Sequence, residues 1–478
     1  MPRYDSIICD LGDVLFTWSP PSSDAILPKT LREIFSSATW FEYEKGRVSQ
    51  QTCYDRLGRE LSLNPADIHK ALQDSCASFK WDKDLASFFR ELKDANHEAV
   101  RIFAMSNISQ PDYEALRSIS SDMDWSIFDG IFTSFAAGKR KPELGFYRYT
   151  LTQASLDPSR TVFIDDKPEN VLSARSQGLH GLVYHNFTEL KQSLLNLLGN
   201  PVVRGHEYLK QNAGQLTSEC AGLAIQENFA QLLILDMTSD RSLVDLDVPK
   251  EGKWNFFSGD GQLTTANFPC DLDTTSLGLT VVRTREEVAV STMDEMLLYV
   301  NEDGIVQTYF DCTRPRIDPV VCVNVLSLFY SYGRGNEINP TLEWVHQVLL
   351  HRAYLQGSRY YETAECFLFF LCRFIGSCNS PVIHNRFYPL LKARVIERIG
   401  TEGDGLALAM RLIVCNFTKV KNEIDLQTLR DLQREDGGWD SGLIYKYGSS
   451  GLRIGNRGLT TVMAIHAIQC SDLASSSL

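Results

Sequence analysis

The sequence is short of the features that mark secreted, membrane-spanning or nucleic-acid-binding chains. Basic residues are outnumbered, 47 Lys and Arg against 60 Asp and Glu, for a formal net charge of −13. Such a surface repels nucleic acid and anionic membranes as main partners, yet leaves room for a local basic pocket that takes phosphate. No uncharged apolar run is long enough to cross a bilayer. The segment Met1-Pro2-Arg3-Tyr4-Asp5 has neither the basic head nor the apolar stretch of a signal peptide. The 12 cysteines are scattered through apolar segments without pairs at metal-ligand spacing, as reduced, buried thiols are. A cytoplasmic protein without stable membrane insertion is the expectation, and self-association is left open.

What is present suits a folded protein of more than one core. At 478 residues, 44% hydrophobic and 22% charged, the chain calls for two domains. In the first half, a buried strand at Ile7-Ile8-Cys9 ends in Asp10-Leu11-Gly12-Asp13. Helical segments follow from about Ala25 to Leu92. Further strands run from Val100 to Met105, ending at Ser106-Asn107; from Gly130 to Thr133, before Lys141-Pro142; and from Thr161 to Ile164, ending at Asp165-Asp166. Strand alternating with helix predicts a parallel, Rossmann-like sheet covered on both faces. The polar residues fall just past the carboxyl ends of the strands, where open α/β sheets place ligands. Taken singly, Ser106-Asn107 could be a turn, Lys141-Pro142 a loop and Asp165-Asp166 a helix cap.

In this order these residues resemble the haloacid dehalogenase-like hydrolase superfamily over about residues 1–200, with a helical cap at about 18–95. The resemblance implies Asp10 as nucleophile and Ser106, Asn107 and Lys141 as phosphate ligands. It also implies a Mg²⁺ site of Asp10, the Gly12 carbonyl and Asp166, with Asp165 supporting. The chemistry suits the residue types: a carboxylate attacks phosphorus once a cation and a lysine neutralise the phosphoryl oxygens, and hard Mg²⁺ takes oxygen ligands. Phosphatases of this superfamily usually carry a second aspartate two residues after the nucleophile, as general acid, and here that position is Gly12. An alkoxide leaving group needs such a proton and a phosphate leaving group needs it little. Cleavage of a diphosphate to a monophosphate is therefore expected to be feasible, and the step to the alcohol handicapped.

Leu198-Gly199-Asn200-Pro201 closes the last helix of the first half, and residues 201–214 read as a polar linker. From 215 to 478 the pattern becomes helical in two kinds. Val320–Phe329, Cys366–Ile375, Leu406–Phe417 and Leu459–Ile468 are apolar nearly all round, whereas Leu342, Val345 and Leu349, or Leu391, Val395 and Ile399, form a single stripe. Enclosed helices alternating with half-exposed ones predict an all-α domain with an inner ring wrapped by an outer one, an α/α barrel.

Within it, Cys270-Asp271-Leu272-Asp273-Thr274-Thr275 sets two carboxylates and two threonines among apolar residues. The stretch resembles the DxDTT form of the acidic motif of class II terpene cyclases. Gln433-Arg434-Glu435-Asp436-Gly437-Gly438-Trp439 resembles the Gln-x-x-x-Gly-x-Trp element that recurs in the same barrels, expected to tie helix ends together. The alternative for the acidic stretch is a helix N-cap with two acids in the first turn, and Thr274 and Thr275 could equally cap a helix. Protonating an isolated alkene requires a carboxylic acid that is neutral at pH 7. An aspartate of ordinary pKa, about 3.9, must then be held protonated by burial. The resemblance implies Asp273 as the acid and Asp271 as its hydrogen-bond partner, with Thr274 and Thr275 fixing the geometry beside the substrate. Aromatic faces would shelter the cation, and this half offers Trp254, Phe256, Phe257, Tyr309, Phe310, Phe329, Tyr332, Trp344, Tyr360, Tyr361, Phe367, Phe370 and Trp439, most of which must be core. Arg314 and Arg316 are candidates for the diphosphate, since guanidiniums suit phosphate oxygens, though they read equally as a surface turn. No Asp-Asp-x-x-Asp run of the class I kind stands in this half.

A hydrolase-like domain joined to one class II barrel resembles the drimane-type sesquiterpene synthases. That implies farnesyl diphosphate, a small isoprenoid diphosphate, as substrate and Mg²⁺ as cofactor. Two alternatives stand beside it: a cyclase whose first domain is structural, and a phosphatase whose barrel only binds a lipid or protein.

Overall fold

The computed structural model describes residues 4–19, 26–95, 100–265, 267–282 and 284–476. The chain divides into two compact units, Met1–Gly199 and Asn200–Leu478.

The first unit is built on a five-stranded parallel sheet in the order Gly130–Thr133, Arg101–Ser106, Ser6–Cys9, Thr161–Asp165, His180–Val183. Alternation along the strands feeds two cores. Ile7, Cys9, Ile102, Ala104, Val162 and Ile164 pack on one face, and Ile8, Phe103, Met105 and Phe163 on the other. Both faces being covered, Ser6–Cys9 is buried throughout, and Ile7, Ile8 and Cys9 follow one another without a polar side. The chain leaves this central strand to build first one side of the sheet and then the other. Asp10 therefore stands at the switch point, where a crevice opens past the strand ends. The edge strand His180–Val183 went unread in the sequence because His180 and Gly181 break its apolar run.

The cap is smaller than its predicted range of about 18–95. It leaves and rejoins the sheet through a two-stranded antiparallel ribbon, Phe16–Thr17 with Lys80–Trp81. Between these lie the helices Pro28–Phe35, Ala38–Glu44, Gln50–Leu61 and Pro65–Ala77, closed on their own core of Leu31, Ile34, Trp40, Leu57 and Ile68. Ser37, Ser49 and Asn64 each cap a helix by accepting a backbone N–H. Residues 20–25 of the predicted cap lie outside the described residues. The next helix, Lys83–Ala95, belongs to the sheet, since Leu85, Phe89 and Leu92 join the sheet's core.

In the second unit, six helices close a ring, each packing on the next: Asn228–Thr238, Leu272–Val281, Pro319–Ser331, Ala364–Ser377, Gly405–Phe417 and Arg457–Ser476. Their side chains are buried nearly all round. Outer helices such as Asn339–Leu350 bury one stripe, here Leu342, Val345 and Leu349, as the periodicity predicts. A four-stranded antiparallel sheet joins Gly442–Lys446, Arg453–Asn456, Ser218–Cys220 and Leu223–Ile225. Nothing in the sequence announced it, because strands of three to five residues carry too little alternation to read.

The predicted linker 201–214 is mostly a helix, Pro201–Gln211, capped by the Asn200 side chain and started by Pro201. It lies on the C-terminal helix so closely that a Cβ at Gly205 would stand 2.7 Å from Ile465 Cγ1. The Gln-x-x-x-Gly-x-Trp element ties it there. Gln433 Nε2 donates to the carbonyls of Pro201 at 2.9 Å and Gly437 at 2.8 Å. The fully buried Trp439 donates from Nε1 to Leu429 O at 2.6 Å. Gly437 sits at φ +89°, where an added Cβ would meet Arg204 O at 2.3 Å. Gly437→Ala should therefore cost about 2–3 kcal/mol, read as a lower midpoint in thermal or urea unfolding.

Candidate active sites

The first site is assembled at the sheet's switch point. Asp10 follows the central strand, with its N–H bonded to Ile164 O at 2.9 Å and Oδ1 accepting from Leu11 N at 2.7 Å. Lys141, 1% exposed, reaches between the strands. Its Nζ lies 2.8 Å from Asp10 Oδ2 and 2.7 Å from Asp165 Oδ2, and it donates to Met105 O at 2.8 Å. Asp165 accepts on Oδ1 from Lys167 N and Asn170 Nδ2, both at 2.9 Å. Burial would raise this carboxyl, but Lys141 and these N–H groups hold it below the usual range. Asp165 thus supports Lys141. Asp166 differs: its Oδ1 is buried with no partner among the described residues, and burial lifts its pKa to about 6. Burial likewise raises Asp10, against the pull of Lys141.

Oxygen atoms of Asp10, Asp165 and Asp166 lie within 4.8 Å of one another. An all-oxygen donor set with one unpartnered buried carboxylate oxygen fits a hard divalent cation, which would draw both raised carboxyls back to the charged form. Gly12 lines the same cavity and leaves space, with no atom within 4 Å of where a Cβ would be.

Two predicted phosphate ligands fare differently. Ser106 is buried and lines the cavity beside Asp10. Asn107 instead clamps the Lys141 backbone, donating from Nδ2 to its carbonyl at 2.9 Å and accepting its N–H on Oδ1 at 2.7 Å. With both ends of its amide engaged, Asn107 positions Lys141. Asn170 was missed, although its place five residues after Asp165 on the first turns of a helix is a readable signal. Above Asp10 the cavity, about 240 Å³, is walled toward the cap by Trp18, Phe35, Trp40, Leu72 and Phe79.

The second site is carried by three inner-ring segments. Asp271 is the N-cap of Leu272–Val281, accepting Thr274 N on Oδ1 at 2.6 Å, and Asp273 lies in the first turn. The stretch does open a helix, as its helix-cap reading expects, but the cap is Asp271 itself and only Asp273 lies in the first turn. Asp273 is 5% exposed. Asn324, from Pro319–Ser331, donates to its Oδ1 at 2.7 Å, and the Tyr361 hydroxyl donates to its Oδ2. Burial, then the Asp271 charge, raises Asp273 to about 8, against the pull of these two donors; burial raises Asp271 to about 7. The carboxyl is mostly protonated at neutral pH.

The hydrogen-bond partner expected in Asp271 is thus supplied by Asn324 and Tyr361. Asn324 stood in plain sight, as a lone amide in the run Val320-Val321-Cys322-Val323-Asn324-Val325-Leu326. A buried polar group in such a run needs a partner. Tyr361 had no signal beyond being aromatic. Thr275 is fully buried and its hydroxyl bonds the Trp254 backbone, accepting its N–H at 2.9 Å, so its part is structural. Thr274 lines the recess in front of Asp273, with its hydroxyl on Asp271.

That recess is walled by Phe229, Phe256, Tyr309, Tyr360 and Tyr445, and only about 10 Å³ of it is open. Phe229 and Tyr445 were not among the predicted aromatics, since one lies in an unread helix and the other on an unread strand. The Arg314 guanidinium stands 5.7 Å from the Tyr309 ring and pairs with Asp311 at 3.2 Å. Arg316 is raised by hydrogen bonding to Tyr360. Both arginines therefore lie beside aromatics that wall the acid's recess.

Residues 202–332 match the family of the sesquiterpene cyclase astC-like C-terminal domain. The drimenol cyclase drtB of Aspergillus calidoustus is 44% identical over 469 residues, which cover 98% of this chain and 88% of that one. The chain belongs to the family of that drimenol cyclase. The sesquiterpene phosphatase astK of Aspergillus oryzae is 36% identical over 179 residues, 37% of this chain and 89% of its own. The type II terpene cyclase MstE from Scytonema, in its apo structure, aligns over 57% of this chain and 98% of its own, at 12% identity and a TM-score of 0.42.

Proposed function

We propose that the protein cyclises farnesyl diphosphate to a bicyclic drimane diphosphate by protonation at Asp273, then removes phosphate at Asp10 toward the alcohol. The observation that carries this reading is a carboxyl with a pKa of about 8, held by Asn324 and Tyr361 in an aromatic recess. Asp273 gives its proton to the distal alkene of the substrate. The Asn324 amide and Tyr361 hydroxyl then stabilise the carboxylate left behind, and the faces of Phe229, Phe256, Tyr309 and Tyr445 shelter the cation while two rings close. Arg314 and Arg316 hold the diphosphate, which stays attached because ring closure begins at the other end. With about 10 Å³ open, the recess must widen to admit a fifteen-carbon chain.

In the first unit, Asp10 is the nucleophile and Ser106 and Lys141 bind the transferring phosphoryl group. Asp10, Asp166 and the Gly12 carbonyl would hold Mg²⁺, which supplies charge neutralisation at the phosphoryl oxygens. The apolar wall of the cap takes the carbon skeleton. Phe35, packed against Trp18 and Trp40, is part of that wall. Phe35→Ala should raise KM for a bicyclic phosphate ester by about tenfold, the cost of losing roughly half a buried aromatic contact, with little change for a small aryl phosphate.

A specific observation favours a second reading, a cyclase that releases the diphosphate: Gly12 offers no proton to a leaving alkoxide. Incubating the protein with farnesyl diphosphate and Mg²⁺, and comparing products with and without added phosphatase, separates the two. Bicyclic alcohol without added phosphatase supports the first reading. Bicyclic diphosphate alone supports the second, and recovery of linear farnesyl diphosphate defeats both.

A further inference from the structure

Gly12 denies the hydrolase site its usual acid, but the same cavity holds another carboxyl. Asp112 lies in the first turn of Gln110–Ile119, and the face of this segment from Ile108 to Leu116 walls the cavity whose floor is Asp10, Ser106 and Lys141. Its orientation is built in. Ser109 caps the helix by accepting Asp112 N at 3.3 Å and donates its Oγ–H to Asp112 Oδ2 at 2.6 Å. The Tyr43 hydroxyl, from the cap, bonds the same carboxyl. The other neighbours that feel its charge, Cys53, Tyr54 and Cys76, are neutral thiols and a phenol.

The remaining carboxyls on the cavity wall are less suited. Glu44 is held by the Arg140 guanidinium at 2.9 Å and Trp40 Nε1 at 3.0 Å. Asp13 is exposed, on a residue at φ 56°. Asp112 alone of the three is half-buried with no cation partner among the described residues, and desolvation outweighs its hydrogen bonds and raises its pKa.

We propose that Asp112 is the general acid–base of the hydrolase half, doing for alkyl esters what a carboxyl at position 12 would do. The proposal rests on the reading of Asp10 as nucleophile. As an Asp10 carboxylate oxygen bonds to phosphorus, the phosphorus–alkoxy bond breaks and the Asp112 proton passes to the departing oxygen, giving the alcohol. The Asp112 carboxylate then takes a proton from the water that attacks the phospho-aspartate. The bond from phosphorus to Asp10 breaks, inorganic phosphate leaves, and both aspartates return to their starting states.

The test compares two esters with Mg²⁺ present: decalinylmethyl monophosphate, whose alkoxide needs a proton, and p-nitrophenyl phosphate, whose phenolate does not. Asp112→Asn should slow the alkyl ester about a hundredfold and the aryl ester less than threefold. Equal losses on both esters would mark a structural role and overturn the proposal, as would undiminished alkyl turnover. The wild-type rates on the two esters cover the case in which Asp112→Asn does not fold. With an acid in place the alkyl ester should turn over within about tenfold of the aryl ester; an alkyl rate lower by about 10³-fold or more would show that no acid is present and sink the proposal. Asp10→Asn tests the underlying reading separately, since it must abolish turnover of both esters alike.

Discussion

Asp273→Asn is expected to abolish ring closure, lowering bicyclic product by at least about 10³-fold, because an amide cannot give up a proton and Asp271, the other carboxyl on the recess, is engaged as the cap of its helix. The assay is product analysis after phosphatase treatment, where the variant should return only the linear alcohol. The wild-type pH profile carries the same information. The active form is the protonated acid, with a pKa of about 8. Cyclisation should therefore be flat through pH 6–7 and fall tenfold per unit above about pH 8. Stability supplies an independent readout with a definite sign. The folded state binds this proton more tightly than an unfolded aspartate of pKa about 3.9, so the contribution is full at low pH and is lost as pH rises toward the folded value. Asp273→Asn does not titrate. Its melting temperature should thus climb relative to wild type between pH 5 and pH 9. A bicyclic product from this variant, or a flat profile to pH 10, would remove Asp273 from the chemistry.

Asp10→Asn should act on the other half alone. Phosphate release is expected to fall by at least about 10³-fold, with the bicyclic diphosphate accumulating at an undiminished rate. The variant loses both the nucleophile and one oxygen of the aspartate cluster, so the remaining carboxylates cannot compensate. Added phosphatase should restore the wild-type alcohol. Unchanged alcohol yield from Asp10→Asn would make the first unit a scaffold, in line with what Gly12 suggests.

How much of this was legible in the sequence depended on the range of the interaction that sets each feature. The parallel sheet was readable from four apolar runs, each ending in a polar residue, because burial on both faces demands continuous hydrophobicity. The inner and outer helices were readable from periodicity for the same reason. Partners across the fold were not. Asp273 is 51 residues from Asn324 and 88 from Tyr361, and no local pattern encodes such meetings. Asn107 illustrates the opposite error: its neighbourhood with Ser106 suggested a phosphate ligand, whereas its amide is spent on the Lys141 backbone 34 residues on. Asp271 is intermediate. A helix start was the plainer reading of its stretch, with both acids in the first turn, whereas Asp271 is itself the cap and Asp273 follows it in the first turn.

The helix Pro201–Gln211 has a practical consequence for anyone preparing the cyclase half by itself. A truncation at residue 215, where the polar stretch ends, would strip Gly205, Tyr208 and Leu209 from the C-terminal helix and remove the Pro201 carbonyl that Gln433 binds. The apolar strip laid bare would invite aggregation during expression and open the Gly437 turn to proteases. A recombinant fragment should begin no later than Asn200, whose side chain starts the helix.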